Sequence, residues 1–172
     1  MKKFVIGLLV IGLTSLGHSQ NVNSEVEIVK LDDILLSNVN MDYLEKVQDK
    51  TISEPVRLLE NKASRFNVTK LPEFDGRKES FKTIFKGSKG FIIAIYDNNG
   101  KILTTLERFR DVKLPRPVIT TVLKKYPKWT FWKNSYFVSY HSDKGAQKVY
   151  RVQVRKDNMK KTLKIDSDGN II

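Results

Sequence analysis

Apolar and polar side chains alternate along the segments near the end of the chain. In segment 146–156 the two sets are Tyr150, Val152 and Val154 against Arg151, Gln153 and Arg155. Segment 158–166 repeats the pattern with Leu163 and Ile165 against Lys160, Thr162 and Lys164. Such alternation is typical of a strand with one side on a core and the other in water. We therefore expect an antiparallel sheet with one exposed face.

Two other segments carry apolar residues at helical spacing, each with a proline near its start, where the missing N–H costs no hydrogen bond. The first begins at Ser53, contains Pro55 in its first turn and ends at Asn67. Its expected core side is Val56, Leu59, Ala63 and Phe66, with Arg57, Glu60, Asn61 and Lys62 largely opposite. The second runs from Pro117 to Tyr126 and carries Val118, Val122 and Tyr126, flanked by Ile119 and Leu123. Segment 41–47 is expected to form one or two further helical turns.

The remaining segments are rich in β-branched and aromatic residues. Strands are expected at 81–86, 91–96, 101–109 and 129–141. The pair Asn99-Gly100 favours a type I′ hairpin between the second and third of these, because both central residues of that turn need positive φ. A short apolar stretch around Ile28 could add an edge strand.

The two halves of this predicted fold are alike. Each has a proline-opened helix, antiparallel strands and an Asp-x-x-Gly turn, and YDNNGKIL at 96–103 matches IDSDGNII at 165–172. We predict an α+β fold built as a tandem repeat of one helix packed on a small antiparallel sheet. The predicted division is an N-terminal segment or linker at 20–52, a first unit at 53–112 and a second unit at 113–172.

The N-terminus has the pattern of a signal peptide. Lys2 and Lys3 precede an apolar run at 4–14, and small residues favour cleavage after Ser19, with cleavage after Gln20 as the near-equivalent alternative. The run is too short to cross a bilayer. We therefore predict a signal peptide at 1–19 and a periplasmic or secreted mature protein. Because the chain contains no cysteine, its stability must come from packing and not from disulfide bonds.

Charge is distributed unevenly along the chain, whose formal net charge is +12. Residues 20–67 carry nine acidic and six basic side chains, whereas residues 68–172 carry ten acidic and twenty-three basic ones. A basic excess of this size favours anionic partners, such as an acidic protein, a nucleic acid, a polysaccharide or an anionic membrane. It is also explained by solvated strand faces that keep the protein soluble.

Composition and spacing argue against most catalytic and metal-binding classes. With no cysteine and only two histidines, thiolate and multi-histidine sites are not expected. The Asp-x-x-Gly segments lack the final bidentate acid of a calcium loop and are expected to be hairpin turns. His141, Ser142 and Asp143 are adjacent in sequence, unlike the converging residues of a hydrolase triad. We predict no metal, no cofactor and no enzymatic activity, although isolated carboxylates such as Glu79 and Glu107 could meet partners in the folded chain.

The densest aromatic cluster lies in the predicted strand at 129–141. It consists of Trp129, Phe131, Trp132, Tyr136, Phe137 and Tyr140. Strict alternation would turn Trp132, Tyr136 and Tyr140 inward and leave Phe131 and Phe137 on the outer face. Aromatic and arginine side chains dominate the energetics of interfaces. The candidate binding residues are therefore Phe131, Phe137, Arg151, Arg155, Lys160 and Lys164, with core packing plus scattered solvated charge as the alternative.

Several segments resemble the PepSY-like, β-lactamase-inhibitor-like (BLIP-like) family of exported Bacteroidetes proteins. They are YDNNGKIL, DVKLP, the helix end KKYP and the closing IDSDGNII, and the resemblance covers roughly residues 53–172. The resemblance implies a tandem fold of a helix plus a four-stranded sheet and a periplasmic or secreted location. It implies no defined activity, and inhibition of a β-lactamase does not follow from it.

Two functional hypotheses follow from these patterns. The first is an exported, non-enzymatic binding or inhibitor-like module that engages a periplasmic or envelope protein or a peptide through an exposed sheet face. The alternative is an electrostatic binder of an anionic polymer or membrane surface through the basic region 68–172.

Overall fold

The structure is a computed structural model that describes residues 27–29, 40–49, 51–72, 74, 76–77 and 80–172. The predicted signal peptide at 1–19 and the carboxylate Glu79 lie outside these ranges. Within them, every helix falls short of the length and apolar character that crossing a membrane requires.

In the described ranges, seven strands form one sheet, in the order in which they occur along the chain. They are β1 (Glu27–Val29), β2 (Ser80–Lys86), β3 (Gly90–Asp97), β4 (Ile102–Arg110), β5 (Thr130–His141), β6 (Gly145–Lys156) and β7 (Met159–Asp166). The strand β1 pairs in parallel with β2, and all later pairs are antiparallel. The helices are α1 (Met41–Val47), α2 (Glu54–Arg65) and α3 (Arg116–Lys125), with a short 3₁₀ turn at Val68–Lys70. The predicted α+β class with an antiparallel sheet is confirmed.

The chain passes twice through a helix followed by three strands. Helix α2 leads into β2–β4, and α3 leads into β5–β7. Because β4 pairs with β5, the two halves share one continuous sheet. The predicted boundary at 112/113 falls between β4 and α3, and both β1 and α1 lie within the predicted 20–52 segment. The origin of the two halves as a tandem repeat stays a prediction.

One face of the sheet is buried beneath the helices. In β6 and β7 the buried side chains are those that alternation predicts, namely Tyr150, Val152, Val154, Leu163 and Ile165. The same face of β2–β5 buries Phe81, Phe85, Ile92, Tyr96, Phe109, Tyr136 and Tyr140. The helices cover them with Val56, Leu59 and Ala63 of α2, with Phe66 after it, and with Val118 and Val122 of α3. The predicted core sides of both helices are confirmed at these positions.

Helix α1 is short, and contacts at and near its N-terminal end attach it to the rest of the protein. Before it, the Asn40 side-chain amide donates to the carbonyl oxygen of Ser64 at 3.2 Å and accepts from the N–H of Ile102 at 2.6 Å. Within it, the Tyr43 ring meets the Tyr140 ring edge-on, with the ring centroids 5.2 Å apart. These contacts join α1 to α2, β4 and β5, so a helix of two turns is stable where it would not be alone.

Helix α2 buries two charged residues that were predicted to lie on its outer side. Glu60 is 0% exposed and Lys62 is 4% exposed. The prediction is wrong because α2 contacts α1 as well as the sheet, so it is covered from two directions. Glu60 also lies one helical turn from both Val56 and Ala63, and this spacing puts it on the apolar stripe of the helix.

Glu60 meets a second buried carboxyl group on the covered face, that of Glu107 in β4. The Oε1 atom of Glu107 accepts hydrogen bonds from the hydroxyl groups of Tyr43 at 2.8 Å and Thr105 at 2.7 Å. The Oε2 atom of Glu107 and both oxygens of Glu60 make no hydrogen bond of good geometry among the described residues, although the Gln48 side chain lies close enough to Glu60 to lower its pKa. A proton on one of the two carboxyl groups would supply a donor to the other, since a protonated acid donates and a carboxylate accepts.

The two acids change each other's ionisation. Burial raises the pKa of Glu60, and the neighbouring Glu107 carboxyl group raises it further. Burial also raises the pKa of Glu107, which the hydroxyl donors Thr105 and Tyr43 partly counteract. Lys148 is the nearby cation that lowers both pKa values, and its ammonium group is shared with Asp49 at 3.7 Å. At neutral pH the folded pair therefore retains a proton that free glutamate side chains would have released.

The β3–β4 hairpin is confirmed, but its turn is not of type I′. Gly100 has a φ of 79°, whereas Asn98 and Asn99 have no positive φ. The Oδ1 atom of Asp97 accepts from the N–H groups of Asn99 at 2.9 Å and Lys101 at 2.8 Å. The aspartate side chain thus stabilises a right-handed turn that closes on one left-handed glycine.

The turn after β7 has the same construction. The Oδ1 atom of Asp166 accepts from the N–H groups of Asp168 at 3.0 Å and Asn170 at 2.8 Å, and Gly169 has a φ of 94°. The Asn170 side-chain amide donates to Asp166 Oδ2 at 2.9 Å, and this bond together with the backbone donors lowers the pKa of Asp166. Both Asp-x-x-Gly segments are turns, as predicted, and their aspartates serve the backbone of the turn itself.

This last turn returns the chain to β7, which forms one edge of the sheet. Ile171 pairs with Ile165 in a single bridge, and the N–H of Ile172 donates to the carbonyl oxygen of Lys164 at 3.0 Å. The first half of β7 has no such partner among the described residues, and its Lys160 side chain is exposed.

The buried acid pair predicts that stability falls as the pH rises. The unfolded chain releases these protons above about pH 5, whereas the folded chain keeps one of them, so unfolding is favoured by each further rise in pH. The contribution to the free energy of unfolding should fall by about 1.4 kcal/mol per pH unit for each retained proton, between about pH 5 and pH 8. Urea denaturation at a series of pH values measures this slope.

Glu60→Gln should flatten the slope, because the amide cannot ionise. At about pH 8 this variant should be at least as stable as the wild type, since the cost of burying the acid pair is largest there. Glu45→Gln, on the exposed side of α1, is the matched control and should keep the wild-type slope. Equal slopes for wild type and Glu60→Gln would show that the pair holds no shared proton.

Candidate binding surface

The sheet face opposite the helices, which we call the open face, is accessible across β2–β7 in the part of the chain that the structure describes. Its apolar half, on β2–β6, comprises Ile84, Phe91, Ile93, Ile95, Leu106, Phe137 and Val149, with Lys82 and Lys86 on either side of Ile84 at its β2 border. Its basic half, on β4–β7, comprises Arg108, Arg110, Lys133, Arg151, Arg155, Lys160 and Lys164. The two halves lie side by side on one continuous surface.

Phe137 lies where the two halves meet, between two arginines. Arg108 is its direct cross-strand partner on β4, and Arg151 on β6 is a diagonal neighbour through its pairing with Ser135. The guanidinium carbons of Arg108 and Arg151 lie 5.7 Å and 5.3 Å from the centroid of the Phe137 ring. We call these three residues the Phe137 stack. Stacking on a ring holds a guanidinium group in place and leaves its N–H edge available for an anion.

On one side of the Phe137 stack is an apolar depression of about 330 Å³. Its lining includes Phe91, Ile93, Leu106, Phe137 and Val149. Leu106 is 58% exposed although it is a large apolar residue in the middle of a strand. A contiguous exposed apolar patch of this kind is typical of an interaction site.

On the other side of the stack is a basic depression of about 490 Å³. Its charged lining comprises Lys89, Arg108, Arg110, Lys133, Arg151 and a single carboxylate, Asp111. Polar side chains such as Ser135 and Gln153 complete it. The excess of cations in a shallow concavity attracts a multiply charged anionic group.

A β-bulge reverses the predicted orientation of two aromatic residues in β5. The register shifts between Phe131 and Lys133, so that Phe131 lies opposite Val154, which is buried on the covered face. Trp132 is the extra residue, and the Lys160 ammonium lies 4.2 Å from its ring centroid. The prediction that Phe131 faces outward and Trp132 inward is therefore wrong, because a bulge breaks the period of two on which it relied.

The other predicted site residues lie on the open face. Phe137 and Arg151 are in contact in the Phe137 stack, Arg151 is paired with Lys164, and Arg155 is paired with Lys160. The structure thus brings five of the six predicted residues, all except Phe131, to one surface. Their role in binding stays a prediction.

Strand β4 supplies residues of this surface that the sequence prediction missed. Arg108 completes the Phe137 stack, Arg110 lines the basic depression, and Leu106 lines the apolar one. The signal was present in the sequence, because these three residues alternate with the buried residues Glu107 and Phe109.

The remaining candidate chemistry is confined to turns in the described part of the chain. In the β5–β6 turn, the Ser142 hydroxyl donates to Asp143 Oδ1 at 3.2 Å, and the N–H of Asp143 donates to His141 Nδ1 at 3.4 Å. The serine is thus bonded to the aspartate and not to the histidine, which is not triad geometry. No cluster of three or more acidic or histidine side chains suited to a metal ion occurs in the residues that the structure covers.

Comparison with known proteins gives only distant likeness. No protein-family model and no curated protein matches the chain. Among solved structures, it is similar to a BLIP-like protein from Bacteroides fragilis, with 15% sequence identity and a TM-score of 0.32, over 56% of this chain and 67% of that one. At this distance the likeness does not place the chain in a family, and the PepSY-like resemblance stays a prediction.

The two faces of the sheet predict a large and a small loss of stability for the same substitution, phenylalanine to alanine. Phe109→Ala should destabilise the protein by about 3–5 kcal/mol, because Phe109 is buried on the covered face. Phe137→Ala should cost about 1 kcal/mol or less, because the Phe137 stack faces solvent. Urea denaturation of both variants measures the difference. Comparable losses would mean that Phe137 belongs to the core.

Proposed function

We propose that the protein is an exported, non-enzymatic module that binds a periplasmic or envelope protein or a peptide through its open face. The observation that carries this proposal is the Phe137 stack, which lies between an apolar and a basic depression. Export rests on the signal-peptide pattern of residues 1–19.

The physical case is that this surface is prepared for contact. Aromatic and arginine side chains are the usual anchors of protein interfaces, and anchors that are already ordered lose little entropy on binding. Phe137 and its two arginines come from three adjacent strands of a rigid sheet, so their arrangement does not depend on a loop.

The location of the ionisable groups supports a non-enzymatic role. The acid pair Glu60–Glu107 is enclosed by α1, α2 and the sheet, so a substrate has no route to it. On the open face, the carboxylates Asp97 and Asp166 are engaged with their own turns, and Asp111 lies among the cations of the basic depression. Neither set offers an acid and a base that converge on one accessible point.

A second candidate is electrostatic binding to an anionic polymer or membrane surface. The basic half of the open face favours it, because cations on four adjacent strands can release many counterions from a polyanion. Such binding uses charge alone and leaves the apolar depression without a role. We therefore rank it below protein or peptide binding.

Affinity capture with the purified protein as bait, from an envelope extract of the source organism, tests the leading function. The double variant Phe137→Ala/Arg151→Gln should lose the proteins that the wild type retains, by about tenfold or more, because it removes the centre of the surface. Quantitative mass spectrometry of the retained proteins measures the loss.

Arg116→Gln is the matched control, since Arg116 is an exposed arginine at the start of α3, away from the open face. It should retain what the wild type retains, and all three proteins should have similar melting temperatures. Retention that is unchanged in the double variant rejects this surface. Retention of heparin or anionic vesicles that disappears with salt, without any protein partner, supports the second candidate.

A further inference from the structure

We propose that the occupant of the open face is an acidic, extended segment of a partner chain, with an apolar side chain about four residues from a run of carboxylates. This inference rests on the proposed function and specifies the partner's chemistry. It is carried by the order of the apolar depression, the Phe137 stack and the basic depression along the strands.

Charge complementarity determines the sign of the partner's charge. Lys89, Arg110 and Lys133 meet in the basic depression with the two arginines of the Phe137 stack, against the single carboxylate of Asp111. Bringing cations together in this way costs energy in the free protein, and an anionic ligand relieves that repulsion. Arginine binds carboxylates through two parallel hydrogen bonds, so aspartate or glutamate side chains are suitable ligands.

Strand geometry determines the spacing between the apolar side chain and the carboxylates of the partner segment. On β4 the apolar depression is centred near Leu106 and the basic depression near Arg110, and Ser139 and Ser135 mark the same two positions on β5. Four residues of strand span about 14 Å. An extended peptide running along the strands covers the same distance with about four residues, and its alternate side chains point towards the sheet.

The apolar depression distinguishes a peptide from other anionic partners. A polysaccharide or nucleic acid backbone would occupy the basic depression and leave Leu106 and Ile93 in water. A membrane would place apolar and basic residues at different depths, whereas here the two depressions lie side by side on one sheet surface. A peptide with both side-chain types fills both depressions at once.

Fluorescence anisotropy with designed peptides tests this inference. The probe is a short fluorescein-labelled peptide with one phenylalanine about four residues before a run of aspartates. The comparison peptides carry alanine for the phenylalanine, asparagine for the aspartates, or the phenylalanine directly beside the aspartates. Each should bind the wild-type protein about tenfold more weakly or worse than the probe.

Two variants of the protein assign each half of the peptide to its depression. In Leu106→Ala the probe and the alanine peptide should bind equally, because the pocket for the phenylalanine is damaged. With Arg110→Gln, the difference in affinity between the probe and the asparagine peptide should be smaller than it is with the wild type. Arg116→Gln should bind all four peptides as the wild type does. Both altered side chains on the open face are exposed, so folding is unaffected and is checked by melting temperature.

Three outcomes overturn the inference. One is equal binding of the probe and the alanine peptide by the wild type. Another is equal binding of the probe and of the peptide whose phenylalanine is directly beside the aspartates, which would show that the four-residue spacing is not required. The third is binding of heparin or anionic vesicles as tightly as the probe with no effect of Leu106→Ala, which would leave charge alone as the cause. If capture of a protein partner still depends on Phe137 and Arg151, the proposed function stands while this partner chemistry fails.

Discussion

The structure depends on burying one face of strands β2–β7 while their other face stays in water. Tyr150, Val152 and Val154 on β6 and their counterparts on the neighbouring strands meet the helices, and the residues between them are turned away. Because successive side chains on a strand point in opposite directions, burial on one side determines what the other side displays. The open face is therefore set by the same register as the core.

This coupling explains how a basic and an apolar surface can coexist with a well-packed interior. The cations of β4–β7 lie on a rigid platform, where the sheet holds Arg108 and Arg151 against Phe137 without help from a loop. Among the buried polar residues that the structure describes, the pair Glu60–Glu107 is distinguished by pKa values that burial raises. Positive charge is thus concentrated on the accessible face of the sheet, while burial reduces the negative charge of the acid pair in the interior.

Local periodicity was sufficient to predict the strands from β2 to β7, helices α2 and α3, and the outward position of Phe137 and Arg151. It failed where a feature depends on chain geometry beyond one element. The bulge at Trp132 inserts one residue and turns the Phe131 side chain to the other face of the sheet, and no alternating pattern in the sequence indicates it. The contact between α1 and α2 buries Glu60, although its spacing from Val56 and Ala63 already indicated the apolar stripe. Arg108 and Arg110 were missed although they alternate with Phe109.

The edge strand β7 has a consequence for how the molecule meets other chains. Its second half is occupied by the return of Ile171 and Ile172, and its first half displays Lys160 and Lys161. Lysine side chains along an edge that no described strand pairs with oppose the addition of a strand from another chain, because their ammonium groups would lose hydration. Addition of further strands at β7, as in fibrils or strand-swapped dimers, is thereby disfavoured. Contact with other chains is then favoured on a face of the sheet and not at its β7 edge.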